Sequence, residues 1–492
     1  MKERLKTVVS LRLCVMGWLV AWCGLAVYGA TKAKTVKPRA SVIVVQAVAA
    51  VPAAERAYAA SLAKQTEQAL VHNGVKAELV SDVTLEATLT GRTLAFLVTC
   101  ARPTAGQLAA LARFQKRGGR LVPLYSASPE LVAQLGQKPR LKVKDDDAAK
   151  ERFLLSSVDA ALPGTKYCAN WESRRKKSDA AARALALKQR PRAGEIHAVW
   201  EHSGEGLYPG DWPRTFRLLK ANGVTDLFVN VAGAGFAHYS SLILPRSKTY
   251  ATRGDQLAAC LAASRGTGIR VHAWLICFNA TRASPVEMSA YTKRGWRLKN
   301  VKGALTEYLD PSNVDLRWRM FKAVEELGRN YPVDGVHLDF VRWYEGARKP
   351  ADAAAKVTSF VEGARAHLRK VRPRAWLTAA VLGSETALTS VGQDWMSWLD
   401  RGLVDYAVPM NYLSARADYA AAVRRQGVSP QRARRIIGGI GVTANESRLS
   451  PSQTIDQINL ARASGFAGVA LFDLNPTLAG SILPILRLGL FK

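Results

Sequence analysis

Apolar and polar residues alternate regularly along the second part of the chain. Short apolar segments rich in β-branched residues alternate with longer amphipathic stretches, which is the pattern of strands and helices in βα units. Glycine-containing turns at 222–223 and 266–268 follow amphipathic stretches and suit helix ends. The predicted strands cover residues 196–202, 226–233, 270–278, 335–342, 376–383, 405–412, 435–442 and 468–474.

These repeats predict an α/β fold. Eight βα units within residues 194–492 match the size and order of a (β/α)8 TIM barrel. A doubly wound open sheet is the alternative architecture, and it rarely contains eight regular repeats.

A smaller α/β domain is predicted before the barrel, over residues 41–136. Its strands are expected at 41–47, 77–82, 93–100 and 120–126, with helices at 53–73 and 104–117. This segment resembles the flavodoxin-like accessory domains that are related to class I glutamine amidotransferases. Cys100 follows the third strand, but Ala101, Arg102 and Pro103 replace the glycines of a nucleophile elbow. We therefore expect this domain to be non-catalytic.

Two further segments are set apart by charge. Residues 137–193 contain an acidic run at 145–147 and a basic run at 174–177, which favours a charged linker or docking segment. Residues 1–30 place Lys2, Arg4, Lys6 and Arg12 before an apolar run, the pattern of a signal peptide or of an uncleaved N-terminal anchor. The protein is therefore expected to be exported, to the periplasm, the cell envelope or the medium, with membrane contact only through this segment.

The formal net charge of +31 favours an anionic partner. The basic residues are spread along the chain rather than gathered in a nucleic-acid-binding motif, so nucleic acid is not expected. Sulfated or uronic polysaccharides, or an anionic envelope, fit the export signal better, and a generally basic surface is the alternative. Cys100, Cys168, Cys260 and Cys277 lack metal-ligand spacing. They are expected to be buried apolar residues, with one disulfide left open, and no metal or cofactor is predicted.

Polar and aromatic residues collect where the predicted barrel strands end. Active residues of TIM barrels lie at these carboxyl ends. Carboxylates there suit proton transfer, amides suit sugar hydroxyls and aromatic faces suit pyranose rings, so the pattern predicts a sugar cleft. The candidate residues are Glu201, Asn230, His272, Trp274, His337, Asp339, Arg342, Trp343, Glu385, Asp394, Asn411, Tyr412 and Asp473.

Several segments of the barrel resemble one family. They are EIHAVW at 195–200, VHAW at 271–274, YPVDGVHLD at 331–339, QDW at 393–395 with Trp398, and VDY at 404–406 through PMNY at 409–412. In these segments, residues 195–474 resemble the glycosyl-hydrolase-like family 10 group of bacterial lipoproteins. The resemblance implies a TIM-barrel hydrolase of glycans, with some members linked to peptidoglycan strands stripped of their peptides.

The resemblance also implies roles. Asp339 matches the last acid of the family's Asp-Gly-x-His-x-Asp segment, which implies a nucleophile or charge stabiliser. Phe340 departs from the second acid that often follows it. An ion pair with Arg342 is the structural alternative for Asp339.

The acid partner of Asp339 is predicted from position alone. Glu385 is placed first because it follows strand five, and Glu201, Asp394 and Asp473 are the alternatives. The remaining candidates would bind or orient the substrate, and His272 is equally compatible with a core histidine.

Two other functions stay open. A non-catalytic carbohydrate-binding protein of the envelope would keep Trp274, Trp343, Tyr344 and Tyr412 as platforms without a competent carboxylate pair. A cationic scaffold or nucleic-acid binder would depend on charge and not on the cleft.

Overall fold

The computed structural model describes residues 41–142, 145–384 and 386–492. Within them lie a four-stranded parallel sheet, a pair of helices and a closed barrel. The expected signal or anchor segment, 1–30, lies outside the described residues. No helix in the described part of the chain is long and apolar enough to span a bilayer.

The N-terminal sheet has the strand order β2-β1-β3-β4, with all pairs parallel. Apolar side chains of the central strands fill two separate cores, one on each face of the sheet. The elements are β1 (Val42–Gln46), α1 (Arg56–His72), β2 (Ala77–Ser81), α2 (Leu85–Leu89), β3 (Leu94–Cys100), α3 (Ala105–Lys116), β4 (Arg120–Ala127) and α4 (Pro129–Leu135). The relation to flavodoxin-like accessory domains stays a prediction.

Residues 137–193, expected as a charged linker or docking segment, contain two helices, α5 (Asp147–Ala161) and α6 (Tyr167–Leu187). Leu155 and Trp171 pack into one core of the N-terminal sheet, while Ala182 and Ala186 pack into the core around the barrel. The acidic and basic runs are partly exposed, and some of their residues contact the barrel, as Asp146 does with Thr477 and Arg175 with Ser481.

The barrel prediction is confirmed by strand pairing. The strands are β5 (Ile196–Glu201), β6 (Asp226–Gly233), β7 (Phe236–Ala237), β8 (Arg270–Ile276), β9 (Arg297–Lys299), β10 (Leu305–Leu309), β11 (Gly335–Asp339), β12 (Trp376–Leu382), β13 (Tyr406–Asn411), β14 (Ile437–Gly441) and β15 (Gly468–Phe472). Strands β5, β6, β8 and β11 to β15 pair in parallel, and β5 pairs with both β15 and β6, which closes the ring. Strand β7 is an antiparallel addition to β6, and β9 pairs with β10 as a hairpin.

Helices surround the barrel, and most begin with a Ser, Asp or Asn side chain that accepts a hydrogen bond from a backbone N–H in the first turn. They are α7 (Trp212–Ala221), α8 (Lys248–Arg253), α9 (Gln256–Ser264), α10 (Pro285–Lys293), α11 (Val314–Asn330), α12 (Ala353–Val371), α13 (Ala387–Val391), α14 (Trp395–Asp400), α15 (Arg416–Gln426), α16 (Pro430–Ala433), α17 (Pro451–Ala463) and α18 (Leu483–Leu486), the last preceded by a π-helical turn at Leu478–Ile482.

Alternation along each strand decides which side chains enter the barrel. Trp200, Phe228, Trp274 and Val408 belong to a core inside the ring. A side chain at Gly439 would meet the Pro409 carbonyl oxygen at 2.4 Å and the Trp200 ring at 3.1 Å, so glycine makes room for the indole.

Candidate active site

Asp339 is the last residue of β11, lies on the inward face and is half-buried. Each of its carboxylate oxygens accepts a hydrogen bond from a neutral donor. Oδ2 accepts a hydrogen bond from Nε1 of Trp274 at 3.1 Å, and Oδ1 accepts one from the backbone N–H of Phe340 at 2.6 Å. Among the described residues Asp339 forms no ion pair, so the alternative pairing with Arg342 is not formed. The carboxylate is therefore oriented by hydrogen bonds without a cation to neutralise it.

Asp473 supplies a second carboxylate at the same end of the barrel, directly after β15. Oδ1 accepts hydrogen bonds from Oγ1 of Thr443 at 2.7 Å and Nδ2 of Asn475 at 2.9 Å. The charges of Asp339 and Asp473 both act on His202 and Tyr412, which shows that the four groups are neighbours.

His202 is a cleft residue that the sequence interpretation did not select. Its exposed ring lies 5.6 Å from the Trp274 ring and 6.0 Å from the Phe472 ring, measured between centroids. Desolvation by the surrounding protein lowers the pKa of His202, with Arg282 acting in the same direction and the charges of Asp473 and Asp339 opposing. Its position two residues after inward-facing Trp200 was the available signal.

The buried His337 supports the site from below. Nε2 of His337 lies 3.0 Å from Nε1 of Trp200, and Nδ1 lies 2.8 Å from Oγ1 of Thr378. Because indole N–H only donates, Nε2 must accept, and Nδ1–H donates to Thr378. Burial lowers the pKa of His337 well below its usual range, and the nearby His272 adds to this effect. His337 is thus a neutral residue that orients Trp200.

A cavity of 650 Å³ lies between the ends of β12 and β13 and helix α15. Tyr412 and Arg342 line it together with Leu382 and Glu446. Burial and the nearby carboxylates, Asp339 first among them, raise the pKa of Tyr412 well above its usual range, so the phenol stays protonated and can donate a hydrogen bond. The cavity has space for a sugar residue, and Tyr412 in its lining lies within the influence of the Asp339 charge.

A stack of side chains forms one wall above Asp339. Tyr344 and Tyr308 stack with their centroids 3.9 Å apart, Tyr308 stacks on Phe340 at 5.1 Å, and the Arg342 guanidinium lies 4.1 Å from the Phe340 centroid. Phe340 has a φ of 48°, a conformation that costs energy for a residue with a side chain. The backbone bend at Phe340 turns the chain so that Asp339 and Arg342 face different parts of the site.

Glu201 does not face the cleft, contrary to expectation. It follows inward-facing Trp200 and therefore lies on the helix side of β5, where it is fully buried. Its oxygens accept hydrogen bonds from the Ser203 hydroxyl, from the Ser203 N–H at 3.1 Å and from the Gly204 N–H at 2.7 Å. Burial raises the pKa of Glu201 to about 7, against the effect of these hydrogen bonds. The residue holds the turn that carries His202.

Two candidates lie inside the barrel below the cleft. His272 is fully buried, and its Nε2 lies 2.9 Å from Oδ1 of Asp226, which also binds Arg270. The partners His272 and Arg270 lower the pKa of Asp226 to about 2 despite its burial. Asn230 is fully buried and donates to the His202 carbonyl at 3.3 Å. Of the two expectations for His272, the core histidine is correct, and Asn230 supports the backbone of His202.

Of three other candidates, Asn411 and Trp343 make hydrogen bonds to the helix layer, and Asn411 also lines the cavity. Asn411 exchanges two hydrogen bonds of 2.9 Å with Gln426 of α15. Trp343 is buried and donates to the Ala353 carbonyl at 3.3 Å, so it is no platform. Asp394 precedes α14 without a side-chain capping bond, and no described contact brings it to Asp339. Glu385, the first choice for the acid partner, lies outside the described residues.

In the N-terminal sheet, the side chain of Asp82 binds the backbone N–H groups that follow strand β1. The Asp82 carboxylate accepts hydrogen bonds of 2.9 Å from three consecutive backbone N–H groups, those of Val48, Ala49 and Ala50. Burial raises the pKa of the Cys100 thiol to about 12, and the charge of Asp82 adds to this. The Cys100 thiol is therefore not activated, and the nest of N–H groups beside it is occupied by Asp82.

The cysteines and metal-ligand side chains form no cluster in the part of the chain that is described. Cys100, Cys168, Cys260 and Cys277 are all unbridged, and only Cys168 is partly exposed among them. No group of three or more His, Cys, Asp or Glu side chains within the described residues could hold a metal ion.

Comparison with known proteins gives solved structures only. No family model and no curated protein matches the chain, so the resemblance to glycosyl-hydrolase-like family 10 stays a prediction. The chain is similar to alpha-L-fucosidase isoenzyme 2 from Paenibacillus thiaminolyticus (13% identity, 60% of this chain and 48% of that one, TM-score 0.43). It thus spans about half the length of the fucosidase.

Two further similarities cover more of the other protein. One is to the PgaB (BpsB) glycoside hydrolase domain from Bordetella bronchiseptica (13% identity, 62% of this chain and 99% of that one, TM-score 0.47). The other is to the spore cortex-lytic enzyme SleL from Bacillus megaterium (12% identity, 71% and 84%, TM-score 0.41). At these values the similarities carry no argument about activity.

Proposed function

We propose that the chain is a glycoside hydrolase that cleaves O-glycosidic bonds in a poly- or oligosaccharide. The observation that carries the proposal is the Asp339 carboxylate, which ends β11 on the inward face, is oriented by two neutral donors and has no cationic partner among the residues that the structure describes. A carboxylate in this state can attack, or stabilise, the positive charge that develops at an anomeric carbon.

Asp473 is the proposed proton-transfer partner, in place of the first-choice Glu385. It lies at the same rim, and its neighbour His202 offers a second titratable group. The hydrogen bonds from Thr443 and Asn475 orient Oδ1 of Asp473. Trp274 and Tyr412 complete a cleft with one aromatic side chain on each side, which suits a sugar ring.

Export and the type of glycan are also proposals. The pattern of residues 1–30 supports export, to the periplasm, the envelope or the medium. The net charge of +31 supports an anionic glycan, and the family resemblance supports a peptidoglycan strand.

The test is the substitution Asp339→Asn. We expect loss of turnover, measured by reducing-end release from a panel of neutral, uronic, sulfated and peptidoglycan-derived glycans, with an unchanged melting temperature. The amide is nearly isosteric but cannot carry the negative charge, and losing a nucleophile costs several kcal/mol of transition-state stabilisation. Asp456→Asn, on the surface of α17 beside Arg416, is the matched control and should keep full turnover. Wild-type turnover in a stable Asp339→Asn variant would exclude the catalytic role.

A non-catalytic carbohydrate-binding protein is the second candidate. It is favoured by Phe340, which occupies the position of the family's second acid and packs between Tyr308 and Arg342. Under this function, the wild type and Asp339→Asn would bind the same glycan without turnover.

A further inference from the structure

Arg342 has an unusual environment for an arginine that lines a cavity. Its side chain is 12% exposed, and Nε and Nη1 are buried without a hydrogen-bond partner in the described residues. The nearest carboxylate, that of Glu345, lies 3.4 Å from Nε without hydrogen-bond geometry and is 47% exposed. A buried guanidinium normally donates several hydrogen bonds, so this one carries an uncompensated desolvation cost.

The guanidinium is also held in place before any ligand arrives. It stacks on Phe340, whose ring is itself packed against Tyr308. The φ of 48° at Phe340 places this stack at the edge of the cavity. Stacking therefore holds a cation whose Nε and Nη1 donate no hydrogen bond to any described protein group.

We propose that Arg342 recognises an anionic substituent, a carboxylate or a sulfate, on the sugar that occupies the cavity beside Asp339. The Tyr412 hydroxyl, protonated and in the same cavity, supplies a second donor for this substituent. This inference rests on the proposed function for its glycan, and it adds the substrate class and the residue that selects it.

The acidic residues described in the cavity lining do not neutralise the charge of Arg342. Asp418 and Glu446 also line the cavity, but both are exposed, and their charges are screened by water and salt. Arg342 is desolvated, so an anion in contact with it gains a stronger interaction than one at the rim.

The experiment follows the side-chain Nε–H signal of Arg342 by ¹H–¹⁵N NMR in the full-length chain, assigned by its loss in Arg342→Gln. Glucuronate, glucose 6-sulfate and glucose are titrated at constant ionic strength. We expect glucuronate or glucose 6-sulfate to shift the signal and glucose to leave it unchanged, and a larger shift with one acid identifies the substituent. Equal effects of all three sugars, or no shift with any, would overturn the proposal.

Affinity for longer chains gives the second measurement, made in an Asp339→Asn background so that the ligand stays intact. Oligogalacturonate and its carboxyl-reduced form are compared by calorimetry. Arg342→Gln should weaken binding of the acidic chain by roughly tenfold or more, as for loss of a charged hydrogen bond, and leave the neutral chain within about twofold. Arg416→Gln, an exposed arginine paired with Asp456, is the control and should change neither.

These readouts separate the two proposals. Hydrolysis of a neutral glycan with no response of Arg342 to anions would refute the anion site and keep the glycosidase. Anion binding at Arg342 without turnover of any glycan would keep the anion site and refute the glycosidase.

Discussion

The depth of a histidine in the barrel decides whether its ring is buried or exposed at the cleft. His272, His337 and His202 all belong to strands or strand ends of the ring, but only His202 is exposed at the cleft. Alternation predicted the inward face of His272 and His337 correctly. Register set their depth: His337 is level with Trp274, and Asp339 is level with Ile276 one step higher. The sequence does not contain that register, so it indicated Asp339 and Trp274 at the strand ends, left His272 open between the cleft and the core, and did not show that His337 is buried.

Glu201 gives a prediction at this scale. Its pKa is raised from 4.5 to about 7 by burial, so the folded protein holds this proton more tightly than the unfolded chain does. The free energy of unfolding should therefore fall as pH rises from about 5 to about 7, by up to about 1.4 kcal/mol per pH unit from this group. Glu201→Gln lacks the titration.

The measurement is the melting temperature of both proteins at several pH values. The wild type should lose stability relative to Glu201→Gln between about pH 5 and about pH 7 and run parallel to it above about pH 8. Parallel curves over the whole range would contradict a raised pKa at Glu201.

Individual elements were predictable where periodicity is strong. All eight barrel strands and the four strands of the N-terminal sheet were predicted from apolar segments, with ends that differ by a few residues. The bounds of helices α5 and α6 could not be predicted because their apolar positions are few and are diluted by charge, as in the basic run at 174–177. Their helical state depends on contacts with the N-terminal sheet and the barrel, which local sequence does not show.

Strand β14 provides a prediction for a whole element. Its inward glycines leave space for neighbouring rings, since a side chain at Gly439 would meet the Pro409 carbonyl oxygen at 2.4 Å. Gly439→Ala should therefore lower the free energy of unfolding by about 1–3 kcal/mol, as expected for overpacking.

The matched control is Gly480→Ala, because a side chain there would have no atom within 4 Å. Chemical denaturation of both variants measures the difference. Equal stability of the two variants would mean that β14 and the Trp200 ring make room for the new methyl group without lowering the free energy of unfolding.

At the scale of the whole molecule, charge gives a further prediction. If the net charge of +31 helps to attract an acidic glycan, affinity for oligogalacturonate should fall steadily as NaCl rises from about 0.1 M to about 1 M, where the Debye length falls from about 10 Å to about 3 Å. The carboxyl-reduced chain should bind equally well at every salt concentration. Salt-independent binding of the acidic chain, measured by calorimetry, would remove net charge from the explanation.

The N-terminal part and the barrel meet at the loop that follows β15. This loop carries Asp473 and Asn475, which belong to the candidate active site. Two residues further on, Thr477 contacts the N-terminal part, with its Oγ1 3.1 Å from Oδ1 of Asp146. Arg175 of α6 donates to Ser481 at 2.9 Å, a short distance further along. A cavity of 520 Å³ lies between the two parts, with Thr443 in its lining.

This shared loop makes the active site and the domain contact thermodynamically linked. A glycan that restrains Asp473 must strengthen the contact at Thr477 by the same free energy with which that contact strengthens glycan binding. The N-terminal sheet would then act as a reporter: its protection from proteolysis should rise when the distant cleft is filled.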